Sequence, residues 1–221
     1  MKKIDDICEE LARFDKKIFV VIAGNIGSGK TTLTEMLSRR LGWRPYYESV
    51  ADNPYLADFY RDMSRWSFPL QIYFLSHRFG VHREISSFAN NNAAIQDRSI
   101  YEDAHIFSRV LHEEGVMDRR DYENYQSLYG TVIGLLPPPT LMIFLKRSVP
   151  RLLERIRRRG RDYERDISPE YLRKLDDHYE EWRKTYDLGK SLTVDTEHLD
   201  FIEDPEHFNQ LIFKIHEKLC S

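Results

Sequence analysis

The sequence predicts an α/β fold built on a five-stranded parallel sheet flanked by helices. The run 18-IFVVIA-23 is apolar throughout, as a parallel strand covered on both faces must be. Along the rest of the chain, short β-rich runs alternate with longer amphipathic ones, the pattern of strand–helix–strand units. The 221 residues are 41% hydrophobic and 31% charged. At about 150 residues per domain that is one globular domain, spanning 1–221 and large enough to bury a substantial core.

The elements follow in order. After the strand at 18–23 comes a glycine-rich turn, then the helix former 30-KTTLTEMLSRRL-41, stopped by Gly42. The short run 44-RPYYES-49 makes the weakest of the five strands. Residues 66–88 carry Trp66, Leu70, Phe74 and Leu75 near helical spacing. A strand is expected at 93-AAIQD-97 and another at 141-LMIFL-145, entered through Pro137, Pro138 and Pro139. The fifth is 192-LTVD-195. Helices are expected at 100–111, 118–134, 149–158, 168–185 and 204–219. There is no internal repeat, low-complexity stretch or linker.

Composition excludes several classes. The net charge of −3, from 33 basic and 36 acidic residues, argues against a globally basic nucleic-acid binder. No apolar run approaches the roughly 20 residues that span a bilayer. The segment MKKIDDICEELARFDKK lacks the apolar stretch of a secretory signal. Cys8 and Cys220, near opposite ends, form neither a disulfide framework nor a zinc site. The expectation is a cytoplasmic protein with neither a nucleic-acid nor a membrane partner.

The chemistry begins after the first strand, where 24-GNIGSGKTT-32 fits G-x-x-x-x-G-K-[ST]. Gly24, Asn25, Ile26, Gly27, Ser28 and Gly29 form a loop whose N–H groups turn inward around an anion, and the next helix aims its positive end at the same point. Lys30 reaches the β- and γ-phosphates, Thr31 coordinates Mg²⁺, and Thr32 closes the motif. A switch GTPase needs N-K-x-D after a later strand; the strand ends here read FLKRS and TVDTE.

An acceptor site needs a group that takes or orients a proton. Glu48 closes the expected second strand, and the carboxyl ends of parallel strands line the ligand crevice. A carboxylate there suits an acceptor hydroxyl and repels an acceptor that is already a phosphate. Asp97 and Arg98 end the 93–97 strand: the acid can hold Mg²⁺ or its water, and the arginine can neutralise a transferring phosphoryl group. Either Glu48 or Asp97 can formally act as the base. We assign the base to Glu48 and the metal to Asp97, because the strand beside the phosphate loop commonly supplies the metal-directed acid. Finally, 155-RIRRRGR-161 packs five arginines into seven residues, interrupted by Gly160. It reads as a mobile lid at about 157–166, beside the alternatives of a solvated helix end and a nucleic-acid patch. Asp162, Glu164 and Asp166 weigh against the patch.

Together the blocks 24-GNIGSGKTT, 47-YESVADNPYL, 66-WSFPLQIYFLSHRF, 97-DRSIYEDAHIF and 157-RRRGRDYE resemble the P-loop deoxyribonucleoside kinases, and most the bacterial deoxyadenosine/deoxyguanosine branch. The resemblance implies a three-layer P-loop kinase fold with an arginine-rich lid. The activity it implies is transfer of the γ-phosphoryl group of ATP, with Mg²⁺, to the 5′-hydroxyl of a deoxyribonucleoside in nucleotide salvage. It implies Glu48 as general base, with Arg98 steadying the hydroxyl. The resemblance further implies that Gln71 pairs with the nucleobase edge, that Asp103 partners Arg78 at the far end of the base, and that Phe107 stacks on it. It implies too that Tyr60 and Glu164 hold the 3′-hydroxyl, that Arg155, Arg159 and Arg161 close over ATP, and that the protein is a homodimer. An amide at Gln71 suits adenine or cytosine, and the Arg78–Asp103 pair disfavours thymine; the reading leans to deoxyadenosine, with deoxyguanosine or deoxycytidine open. Two rivals stand beside it: a thymidylate-kinase-like nucleoside monophosphate kinase, and a P-loop nucleic-acid-binding ATPase.

Overall fold

A computed structural model describes residues 3–12, 18–47, 53–90, 92–161, 164, 167–197, 199, 201 and 204–221. Five strands, β1 (Ile18–Gly24), β2 (Arg44–Tyr46), β3 (Ala93–Asp97), β4 (Leu141–Lys146) and β5 (Lys190–Asp195), form one parallel sheet in the order β2-β3-β1-β4-β5. All seven residues of the central strand β1 are buried. From β1 the chain fills β2 and β3 on one side, then β4 and β5 on the other. That reversal of winding opens a crevice at the carboxyl edge of the sheet. The register aligns Ile22 with Asp97 and Gly24 with Leu145, so the phosphate loop and the end of β3 meet at that edge.

Alternation along β1 builds two cores. Phe19, Val21 and Ala23 face one side, packed with helices α4 (Met63–Phe88), α7 (Arg119–Ile133) and α9 (Pro169–Thr185). Ile18, Val20 and Ile22 face the other, covered by α1 (Ile4–Ala12), α2 (Lys30–Leu41) and α10 (Pro205–Cys220). The result is the expected three-layer arrangement of helices, sheet and helices.

Local chemistry sets the helix ends. Gly42 closes α2 in the left-handed conformation, its N–H bonded to the Ser38 carbonyl. Asp62 caps α4 by accepting from the Arg65 N–H at 3.1 Å. Helix α8 (Val149–Arg159) ends at Gly160, also left-handed, within the arginine run.

The structure departs from the sequence reading at four points. The nine-residue α1 and the six-residue α3 (Leu56–Arg61) were not expected. β2 ends at Tyr46, short of the expected residue 49, and Glu48 lies outside the described residues. α4 begins at Met63, three residues early, because Asp62 caps it. The helix expected at 100–111 runs as α5 (Ile100–Glu102), a π-helical turn (Asp103–Phe107) and α6 (Ser108–Glu113). No described helix is long and apolar enough to cross a membrane. Cys8 and Cys220 are both free thiols.

Candidate active site

A cavity of about 510 Å³ opens at the carboxyl edge of the sheet. Its floor at one end is the loop between β1 and α2. Gly24 sits at φ +153°, where an added Cβ would stand 2.8 Å from the Leu145 carbonyl oxygen, and Gly27 sits at φ +81°, where it would stand 2.9 Å from that of Leu152. Side chains fit neither position. Asn25 works beneath the loop: its Nδ2 donates to the Leu172 carbonyl at 3.0 Å and its Oδ1 accepts from the Ile26 N–H at 2.8 Å. Ser28 is also buried below. Ile26, Gly27, Gly29, Lys30, Thr31 and Thr32 face the cavity. Lys30 Nζ donates to the carbonyls of Gly24 (2.7 Å) and Asn25 (3.0 Å), which holds the cation at the mouth of the loop. The Arg155 guanidinium lies against Gly29, with Nη1 3.1 Å from where a Cβ would be.

The metal pair named from the sequence is in contact. Thr31 Oγ1 donates to Asp97 Oδ2 at 2.5 Å, while Asp97 Oδ1, buried, has no hydrogen-bond partner among the described residues. A hydroxyl, a carboxylate and an orphaned carboxylate oxygen beside an anion cradle are a donor set for a hard cation such as Mg²⁺. Next along the chain, Arg98 has φ +66°, the one positive value at a non-glycine residue among those described. Its N–H donates to the Ile22 carbonyl at 3.1 Å, and its guanidinium lies 4.5 Å over the Phe107 ring.

The far end of the cavity is built by α4 and the π-helical turn. Gln71 and Arg78, two turns apart on α4, both face inward. Asp103 and Phe107 come from the two ends of the π turn, and both line the cavity. Arg78 Nε and Asp103 Oδ2 form an ion pair with side chains only 5% and 2% exposed, and the Arg78 guanidinium also stands 5.1 Å over the Phe74 ring. Gln71 is buried, and its Oε1 has no hydrogen-bond partner among the described residues. Tyr60, from α3, lines the cavity opposite.

The arginine run forms the roof. Arg155, Arg159 and Arg161 line the cavity, and Glu164, buried, accepts from Arg159 Nε at 3.1 Å and pairs with Arg161 at 3.5 Å. Of the lid expected at 157–166, residues 162, 163, 165 and 166 lie outside the described residues. Sequence reasoning missed Tyr47, Leu56, Phe59, Phe74, Arg158 and Tyr171, which also line the cavity. Phe74 was legible as lying on the face of α4 shared by Gln71 and Arg78; Tyr171 follows the lid and carried no motif.

Asp176 on α9 reports the cost of packing a helix behind the loop. Burial pushes its carboxyl above the ordinary range, Glu180 adds to the rise and Lys146 opposes it. With the folded-state pKa above the unfolded one, stability is lost as pH rises from the unfolded value through the folded one. Asp176→Asn therefore raises Tm at pH 8, by a few degrees at most because the group is only part-buried, and the gain vanishes toward pH 4. Thermal unfolding at the two pH values checks this.

Comparison with known proteins gives one answer. Residues 20–221 match the sequence profile of the family described as "Deoxynucleoside kinase". A deoxyadenosine/deoxycytidine kinase of Bacillus subtilis (strain 168) is 37% identical over 202 residues, covering 90% of this chain and 92% of that protein. A deoxyguanosine kinase of the same organism is 34% identical over 203 residues, covering 90% and 96%. The structure of deoxyadenosine kinase from M. mycoides, with products dCMP and a flexible dCDP bound, superposes with a TM-score of 0.76 at 31% identity. It covers 90% of this chain and 99% of that one. A phosphate loop, an adjoining carboxylate–arginine turn and a cavity closed by a buried amide and ion pair thus sit in a chain that belongs to the deoxynucleoside kinase family, the ATP-dependent phosphotransferases of deoxynucleosides.

Proposed function

We propose that this kinase phosphorylates the 5′-hydroxyl of deoxyadenosine by preference, with deoxyguanosine and deoxycytidine as slower acceptors. The observation that carries the base preference is Gln71: a buried amide whose oxygen has no hydrogen-bond partner among the described residues, facing the same cavity as the Arg78–Asp103 pair. A buried polar atom is normally satisfied. An adenine edge offers an amino donor to the amide oxygen and a ring nitrogen to the amide NH₂, with no change of tautomer.

In this reading the triphosphate lies along the loop 24–32, its γ-phosphate at Lys30, and the nucleoside lies between Gln71 and the turn at Asp97–Arg98. Phe107 stacks on the base, and Tyr60 and Glu164 hold the 3′-hydroxyl. Glu48 takes the proton of the 5′-hydroxyl as its oxygen attacks the γ-phosphorus; the bond to the β-phosphate oxygen breaks and ADP leaves. Arg98, Arg155, Arg159 and Arg161 neutralise charge on the transferring group. Thr31 and Asp97 would hold Mg²⁺, which when bound neutralises the β- and γ-phosphate oxygens. The contact between Thr31 and Asp97 supports that assignment. The unit of function is one domain of residues 1–221, and the resemblance to the family makes a homodimer the assembly we propose. Leu128 and Leu135, exposed on and just after α7, supply apolar surface for a second copy.

The test is ATP-dependent phosphorylation of deoxyadenosine, deoxyguanosine, deoxycytidine, thymidine, adenosine and deoxyadenosine monophosphate. Deoxyadenosine reacts fastest and thymidine fails. A lead for deoxyguanosine overturns the reading of Gln71. Reaction of the monophosphate alone overturns the placement of Glu48 against a hydroxyl.

A further inference from the structure

Glu102 has no part in the reading above, yet it is fully buried beside the site and joins three of its elements. Its Oε1 accepts from the Gly24 N–H at 3.2 Å, where the phosphate loop begins. The same oxygen accepts from the Tyr179 hydroxyl at 2.8 Å, on α9, the helix that follows the lid. Oε2 accepts from the Ser99 N–H at 2.9 Å, one residue beyond the left-handed Arg98. The spacing Ser99-x-x-Glu102 is a capping box, and its ordinary task is to cap α5. A box serving only as a cap has no need of Gly24 or Tyr179.

We propose that Glu102 is a positioning residue for phosphoryl transfer, which fixes the Asp97–Arg98 turn against the first N–H of the phosphate loop. A non-glycine residue at φ +66° costs free energy and persists only where its surroundings over-determine it. Arg98 is clamped from both sides: its own N–H is held by the Ile22 carbonyl on β1, and the following N–H by Glu102. Because Glu102 grips Gly24 with its other oxygen, the clamp refers the turn directly to the loop. It acts through Arg98 and touches no substrate. The chemistry requires a carboxylate, since three donors converge on two oxygens. Glutamine has one acceptor oxygen and turns an NH₂ toward one of the N–H donors.

This inference rests on reading Arg98 as a group that acts on the transferring phosphoryl, so the experiment separates the two. Steady-state kcat and both KM values are measured for wild type, Glu102→Gln, Arg98→Ala and the double variant, with Tm for each. Glu102→Gln lowers kcat by about 10–100-fold, the range for misplacing a reacting group through its supporting shell, and changes either KM less than kcat. In the Arg98→Ala background the same substitution costs no more than about twofold, because the group it positions is gone. Full kcat in Arg98→Ala overturns the reading of Arg98. Loss in Arg98→Ala with full kcat in Glu102→Gln overturns the positioning role alone, and so do losses that multiply in the double variant, which a purely structural role produces. Should Glu102→Gln fail to fold, Glu102→Asp keeps both acceptors on a stem one methylene shorter; it is expected to show a smaller kcat loss with the same non-additivity, and additivity there overturns the proposal.

Discussion

Glutamine in place of Glu48 lowers kcat by about 10²–10⁴-fold, the span a positioned general base contributes, while the KM for deoxyadenosine moves little. The amide keeps the size and a hydrogen-bonding oxygen, so it still accepts from the 5′-hydroxyl in the ground state. It cannot receive the proton as the new P–O bond forms, and an interaction lost only in the transition state appears in kcat. Asp97 is the competing base, and its surroundings argue against it. One of its oxygens is already occupied by the Thr31 hydroxyl at 2.5 Å, on the first turn of the phosphate-binding helix. We propose that it is directed at the metal instead, so Asp97→Asn is expected to raise the Mg²⁺ concentration needed for half-maximal rate. Tyr47, the residue before Glu48, lines the cavity. If Glu48→Gln keeps its kcat while Asp97→Asn abolishes it at saturating Mg²⁺, the two roles must be exchanged.

What the sequence made legible follows from how local each signal is. β3 is legible to its final residue because the apolar run 93-AAI-95 leads through Gln96 to Asp97, where Arg98 takes up a left-handed turn. α2 was read to both ends because Gly29 and Gly42 adopt conformations that other residues disfavour. Residues of the phosphate loop are contiguous, so pattern alone brought them together. Contacts made through space were another matter. Arg78 and Asp103 are 25 positions apart on different elements, and only resemblance to a family paired them; periodicity does no more than place Arg78 and Gln71 on one face.

The elements that were missed owe their stability to distant partners. Helix α1 buries Ile7, Cys8 and Leu11, and the helix it packs against, α10, lies near the other end of the chain. A nine-residue helix is marginal alone in water, so its local pattern carries little weight. The π turn at Asp103–Phe107 has no sequence signature, although it decides how Asp103 and Phe107 are presented. Glu102 closes a capping box with Ser99, and nothing local announces that its carboxylate also reaches Gly24 and Tyr179. Side chains that support a site from behind are recognised by whom they touch, which is a property of the fold.

Arg78→Ala destabilises the protein by about 3–5 kcal/mol, since it leaves the Asp103 carboxylate buried without its cation. At about 2–4 °C per kcal/mol for a chain of this size, Tm falls by roughly 6–20 °C. Such a loss does not by itself show what the pair is for, because removing either partner of any desolvated ion pair is costly. Replacing both partners separates the two roles. In Arg78→Met/Asp103→Leu no buried charge remains, and apolar side chains of similar volume are often neutral or better for stability at such sites. The double variant therefore recovers most of the lost Tm. It does not recover the preference among bases, because the cavity end that faces Gln71 now offers the base edge neither a carboxylate nor a guanidinium. Calorimetry beside the nucleoside panel reads both quantities. A double variant that regains Tm and still selects deoxyadenosine over thymidine would reduce the pair to a structural clasp and leave Gln71 alone to read the base. A single variant that loses no stability would mean that Asp103 is solvated or protonated once Arg78 is gone, contrary to a carboxylate held 2% exposed between α4 and the π turn.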